Sequence, residues 1–386
     1  MYKYRNIVMH ITVILFWISL YIYVPILTPY SQEIGAGVQL AGMIIGSYGF
    51  TQMLVRIPIG VISDRTGKKK TFVIIGCALL FLSGLGLYLF ENPIAVLIFR
   101  GLGGIAAGTW VSFTVLYTEY FTEDKSSISM GNILVSNSLG NLLGVFFGGV
   151  LSQSYGYAST FIAAFITGGL SFLFSFFVYE NPNSTKSNVS AIEVISIGLN
   201  KNVLIPSILA IFMQVIIFSS MFGYTPSVNK LGGMTSFQLG LVSTFFLIAK
   251  MSGSKISGGQ LRERFGFGKS TSIGFILMGI MTVLTVTASS NSIFSYIVHA
   301  IGGCGYGVTI SLLMSYIVSE TEKGRKTIAM GFFQSIYGIG MFAGPVISGY
   351  FINWLGFGFN YMILTVLALV CAAYSFLFVK SKRSNI

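Results

Sequence analysis

The chain has 386 residues, of which 54% are hydrophobic and 9% charged, with a net charge of +12. So little charge cannot cover the surface of a water-soluble protein of this length, which excludes a soluble enzyme. The basic residues sit between apolar runs, in every second connection, so they are a topological signal rather than a stripe for nucleic acid.

Taken in order, Lys3 and Arg5 precede an apolar run that continues to about Thr28 without a convincing cleavage site, so it reads as a first span rather than a leader. Runs of membrane-crossing length then recur to the end of the chain. Twelve spans are predicted, at roughly 7–28, 38–63, 71–90, 94–117, 128–151, 158–179, 203–226, 237–259, 270–290, 293–318, 328–352 and 358–379. Most connections are short. The exception carries Asn181-Pro182-Asn183-Ser184-Thr185-Lys186 and divides the chain into a first six-helix bundle, 1–180, a linker, 181–202, and a second bundle, 203–386. Cys77, Cys304 and Cys371 lie inside apolar runs, with neither a disulfide framework nor metal spacing, and no cofactor is expected.

Orientation follows from Lys and Arg. With the N-terminus inside, the inner connections hold Arg65, Lys68, Lys69, Lys70, Lys125, Lys186, Lys201, Arg262, Arg264, Lys269, Lys323, Arg325 and Lys326, while the outer connections hold only Lys230. The expectation is an all-α membrane protein with both termini cytoplasmic, placed in the plasma membrane.

The two halves repeat each other. Gly60-Val61-Ile62-Ser63-Asp64-Arg65-Thr66-Gly67 returns as Gly259-Gln260-Leu261-Arg262-Glu263-Arg264-Phe265-Gly266 without a gap. Arg100 with Gly103, Gly104 and Gly108 aligns with His299, Gly302, Gly303 and Gly307. Gly140, Gly144 and Gly149 align with Gly340, Gly344 and Gly349, and Glu119 with Glu320. Two parallel six-span halves related by an axis along the membrane normal describe one transporter architecture.

On these motifs the chain resembles the major facilitator superfamily over essentially its whole length. The 60–70 stretch is similar to the family's loop between the second and third helices, and Arg100 with its glycines to the motif of the fourth. Gly140 to Gly149 resembles the fifth-helix motif of the drug:proton antiporter branch. The sequence departs from that motif at Val145, where the branch has Pro; the second-half copy, Gly344-Pro345, keeps it. The resemblance implies a conformational latch. In it Asp64 would accept hydrogen bonds from the N-terminus of helix eleven, where the helix dipole favours an anion. Arg65 or Lys68 would pair with Glu119, bracketed by Gly60 and Gly67, and Gly259, Glu263, Arg264 and Glu320 would form a weaker counterpart. The glycines at 140, 144 and 344 read as close helix contacts and Pro345 as a kink.

Ionisable residues inside a membrane are functional candidates by default. The spans hold Arg56, Arg100, Lys250 and His299, whereas all eleven Asp and Glu residues fall in connections or at helix ends. An interior with cations and no acids suits an anionic or zwitterionic substrate. Tyr21, Gln52, Asn137, Gln214 and Gln334 are further candidates to line a cavity between the halves. Phosphate-loop, catalytic and paired-His patterns are absent, which excludes ATP-driven transport and enzyme chemistry of those types. The expectation is a monomeric secondary transporter that exports a small amphipathic molecule in exchange for protons. Proton-coupled uptake of a small organic anion or nutrient is the alternative within the class. A non-transporting receptor or scaffold is the alternative outside it.

Overall fold

The computed structural model describes residues 2–121, 126–180, 191–257, 261–322 and 325–378, and among these all regular structure is helical. The first half holds α1 (Tyr2–Tyr21), α2 (Leu27–Glu33), α3 (Val38–Thr66), α4 (Lys69–Leu89), α5 (Pro93–Gly108), α6 (Trp110–Thr118), α7 (Ser126–Tyr155) and α8 (Ala158–Ser175). A short α9 (Ala191–Gly198) follows. The second half holds α10 (Lys201–Ser219), α11 (Thr225–Leu231), α12 (Ser236–Ile256), α13 (Arg262–Ala288), α14 (Ser292–Glu320), α15 (Lys326–Ile336) and α16 (Gly338–Phe378). Helices are the form such apolar segments must take, because hydrocarbon offers no partner for an unpaired backbone N–H or C=O.

Among the described residues, eleven helical stretches are long and apolar enough to cross a bilayer. The last of them, Ile328–Leu377, contains 50 residues and is interrupted at Gly356, whose φ of 79° and ψ of 172° are not helical. A continuous helix of that length would reach about 75 Å, more than twice a hydrocarbon core of about 30 Å. Large apolar side chains such as Leu54, Ile98, Leu173, Val283 and Met362 stand more than half exposed, as lipid-facing residues must.

The internal repeat is written into the backbone. Among the described residues, six glycines have positive φ and form three pairs, Gly35 with Gly233, Gly67 with Gly266 and Gly156 with Gly356, separated by 198, 199 and 200 positions. At Gly67 the reason is local: the left-handed residue ends α3 and returns its N–H to the Ser63 carbonyl. Helix starts repeat as well. Asn92 caps Ala95 N–H at 2.9 Å and Asn291 caps Phe294 N–H at 3.0 Å.

The first span of each half is broken at the same depth. Val24–Ile26 forms a 3-10 turn between α1 and α2, and Ser220–Tyr224 a π-helical turn between α10 and α11. Irregular turns of this kind inside membrane helices are tolerated where they face protein or a cavity. Residues 181–190 of the linker lie outside the described residues. The sequence reading missed α9 beyond them, which tucks Val194 into the core and leaves Ile192 and Ile195 exposed.

Candidate substrate cavity and gates

Arg100 projects from α5 into the space between the halves. It is 5% exposed, donates from Nη1 to the Tyr23 hydroxyl at 2.9 Å, and lies 4.4 Å from the centre of the Tyr48 ring. The cavity it enters is narrow in this conformation, about 10 Å³, and is walled by Leu20, Tyr21, Val24, Tyr48, Phe218 and Phe222, so a ligand enters only as these rings part. Both broken spans therefore serve the cavity: Val24 belongs to the first break, and Phe222 to the second. The walls meet ring to ring across the two halves. Tyr48 stacks on Phe218 at 6.4 Å with 8° between planes, and Tyr21 meets Phe222 edge-on at 6.1 Å.

The aromatic lining continues from Phe222 to Phe246 at 5.8 Å and from Phe246 to Tyr306 at 6.0 Å. There Lys250 holds its ammonium 5.2 Å from the Tyr306 ring centre. Gln214 is within hydrogen-bonding reach of Tyr306 and keeps an unpartnered Oε1. Arg56 is 4% exposed and donates to the Gln334 carbonyl at 3.2 Å and to the Tyr337 hydroxyl at 3.4 Å, linking α3 to α15 and the turn after it. Gln52 is buried with Oε1 unpartnered, and Asn137 accepts from Asn141 at 3.4 Å.

His299 does not share the cavity found at Arg100. Its ring is fully buried, with Nδ1 at 2.8 Å from the Ser295 carbonyl of its own helix. The equivalent sequence positions therefore carry different roles, because Arg is long enough to leave its helix and His is not. The sequence reading overlooked His10, which the structure ties to two other helices: Nδ1 lies 2.6 Å from Ser136 Oγ and Nε2 3.0 Å from Tyr117 OH. Its position within the first apolar run was the available signal.

The two ends of the cavity differ. Away from the termini, Gly149 and Gly240 meet backbone to backbone, so a Cβ on Gly149 would fall 2.8 Å from the Gly240 Cα. Gly49 abuts Met341 equally closely, and Gly42 lies against the Pro345 carbonyl. Thr28 donates to the Gly223 carbonyl at 2.5 Å, Tyr224 to the Val38 carbonyl at 2.8 Å and Ser227 to Gln32 Oε1 at 2.8 Å, each across the halves. Small residues permit this backbone approach.

At the end carrying the charged turns, a cleft of about 70 Å³ lies between α3 and α15, with the Arg56–Gln334 bond on its wall. Gly60, Asp64, Val111, Val194, Ile328 and Gly331 are among its walls. Asp64 thus faces the first turn of α15 across the cleft, with no hydrogen bond to it among the described residues. The ion pair at Glu119 is a correction to the sequence reading. Lys69, not Arg65 or Lys68, holds it, with Nζ 2.7 Å from Oε1, while Arg65 and Lys68 are exposed. The physical reason is that Gly67 ends α3, so Lys69 opens α4 and is buried at 2% exposure.

The second-half counterpart is not assembled among the described residues. Glu263 and Arg264 are exposed, Arg264 lies 5.4 Å from the Phe265 ring, and Arg262 rather than Arg264 reaches α14, at Ser315 Oγ. Gly259 lies outside the described residues. Gly140 sits on the Ile14 carbonyl and Trp17, Gly144 on Ile18 and Tyr21, and Gly344 on Val215 and Ser219. Pro345 lies within α16, whose non-helical dihedrals occur at Gly356 instead.

A family model for the Major Facilitator Superfamily matches residues 9–235 and 232–385. The chain belongs to the major facilitator superfamily. It is 26% identical over 374 residues to an uncharacterized MFS-type transporter of Methanocaldococcus jannaschii, covering 92% of each chain. It is 24% identical over 371 residues to a multi-drug resistance efflux pump PmrA homolog of Lactococcus lactis, covering 92% of this chain and 89% of that protein. Its fold resembles the crystal structure of the nucleoside transporter NupG, with a TM-score of 0.77 at 12% identity over 97% of this chain and 100% of that one. It also resembles a bacterial homolog of the lysosomal transporter Spinster in an inward-facing, unoccupied conformation, with a TM-score of 0.75 at 13% identity over 97% and 96% of the two chains. Members of this superfamily are transporters rather than enzymes.

Proposed function

We propose that this chain is a proton-coupled secondary transporter that exports a small amphipathic molecule across the cell membrane by alternating access. In this reading the last apolar stretch counts as two spans, which gives twelve, and both termini are cytoplasmic in a monomer. The observation that carries it is the aromatic cavity at Arg100, placed between two halves that touch at one end and stand apart at the other. Rocking about that cavity would exchange the two ends. Asp64 would then reach the first turn of α15 and latch the charged end, while Lys69 and Glu119 keep the turn in shape. Export is supported by the similarity to the multi-drug resistance efflux pump homolog of Lactococcus lactis.

Proton coupling has no interior carboxylate to use, so the candidate is His10, whose ring reaches Ser136 of α7 and Tyr117 of α6, whereas His299 is bonded to its own helix. Histidine is the side chain whose charge changes most readily near neutral pH. A second reading, proton-coupled uptake of a small organic anion or nutrient, is favoured by the buried guanidinium of Arg100 and differs in direction and substrate class. The test is proton flux into or out of liposomes that carry the protein and a pH-sensitive dye, with aromatic acids and amphipathic cations added in turn. Flux with one compound class, lost in Asp64→Asn, is the expected result, and its sign gives the direction. Absence of flux with every compound, from folded and oriented protein, would contradict proton coupling.

A further inference from the structure

We infer that the central cavity selects an amphipathic organic anion, a compound with one carboxylate or similar oxyanion attached to a flat apolar body. The inference rests on the transport reading only for its purpose; the binding it describes stands or falls separately. Three observations carry it.

The first is the donor count at Arg100. A guanidinium has five N–H donors in a planar fork. Among the described residues it makes one hydrogen bond, from Nη1 to Tyr23, and Nε is buried without a partner. An unsatisfied buried donor on a charged group is costly to leave unmade. A planar oxyanion is the ligand that such a fork receives in two parallel bonds.

The second is the sign of the surroundings. Arg56 and Arg100 are both buried and Lys250 faces the same aromatic run, yet the chain's acidic residues lie at helix ends or in connections. Arg56 already spends donors on Gln334 and Tyr337. Arg100 faces aromatic rings and a hydroxyl, none of which neutralises it. A cationic compound in this cavity would meet like charge with no carboxylate to offset it, and like charge in a low dielectric is strongly repulsive.

The third is the shape of the walls. Tyr48 and Phe218 are stacked nearly parallel, and Tyr21, Phe222 and Leu20 complete an apolar rim around the guanidinium. Rings offer a flat body offset-stacked or edge contacts. The charge is at one point and the apolar surface beside it, which is the layout of an aromatic carboxylate rather than of a sugar or a bare inorganic anion.

The test is binding to the purified chain in detergent, read by quenching of Trp17 and Trp110 fluorescence in a Trp354→Phe background, because Trp17 lies 5.9 Å from the Tyr21 ring of the cavity wall and edge-on to Trp110 at 5.3 Å, and by thermal shift. The probes are 1-naphthoate, indole-3-acetate and salicylate, with the matched primary amide and the matched primary amine of each. At least one acid is expected to bind saturably, with its amide and amine about tenfold weaker or worse. Arg100→Gln should abolish that preference and Arg100→Lys restore part of it, since the charge returns without the fork. Both variants are compared at matched unliganded melting temperature, which keeps a folding defect apart from a binding one. Amines that bind better than acids, or no acid binding at all, would overturn the inference, as would a preference untouched in Arg100→Gln. Acid binding without proton flux in liposomes would leave this inference standing and remove the proton-coupled reading instead.

Discussion

The two ends of the molecule are held by different physics. The far end is closed by backbone against backbone: Gly149 on Gly240, Gly49 on Met341, and hydroxyls donated to carbonyls on the opposite half. The charged end has its ion pair, Lys69 to Glu119, inside one half, and across the halves it has a cleft on whose wall Arg56 donates to Gln334. Contacts made by small residues and single hydroxyls gain dispersion and a few hydrogen bonds without burying charge. Such a seal can form and release with little desolvation. A seal made of charges must desolvate them each time, which fits a device used once per cycle as a latch.

The comparison can be broken most severely at the far end. Gly240→Val places a branched side chain where the Gly149 backbone already sits. Overpacking of this kind typically costs about 1–3 kcal/mol, all of it charged to the closed far end. Transport in liposomes should fall below about a tenth of the wild-type rate while the melting profile stays cooperative, since a shift of 1.4 kcal/mol is already about tenfold in an equilibrium.

Next in size is the contrast between aligned positions. Arg100→Gln removes the charge that faces the cavity, and transport should drop by about tenfold or more. His299→Gln alters a ring bonded to its own helix, and transport should change by no more than about threefold, as expected where no substrate contact is lost. Equal losses from both variants would mean that the second half also contributes its chemistry at this level.

Smaller effects separate the two charged turns. Lys69→Ala leaves Glu119, 19% exposed, without its ammonium and should destabilise the chain by about 1–3 kcal/mol in a denaturation series. Arg325→Ala breaks an i,i+3 pair with Glu322 whose side chains are 58% and 78% exposed. Its effect on the same assay should stay within about 0.5 kcal/mol.

Much of this was legible in the residues. Apolar run length made the helical spans legible, and the repeat of Gly60–Gly67 in Gly259–Gly266 pointed to two halves, a spacing of about 199 that recurs in the positive-φ glycines. Arg100 was legible as a cavity residue because a guanidinium in an apolar run has few other places to go. The partner of Glu119 was not, because three consecutive lysines follow Gly67 and only the geometry of the turn decides which one is buried. His299 misled for a related reason: alignment with Arg100 carries position, not reach. The helix α9 was hidden in a polar linker, since eight residues give too short a period to read. Which end is closed was never available, because one sequence must support both arrangements.

The central claim is that the two ends exchange. Gly131 in α7 and Gly331 in α15 stand at the charged end on opposite halves, and a side chain at either meets open space. Spin labels on Gly131→Cys and Gly331→Cys, with Cys77, Cys304 and Cys371 replaced by Ala, would report the width of that end. The distance should shorten when Gly240→Val is added, because wedging the far end apart must close the charged one. An unchanged distance, with the far end shown by labelling to have opened, would mean that the ends move independently and would contradict the account.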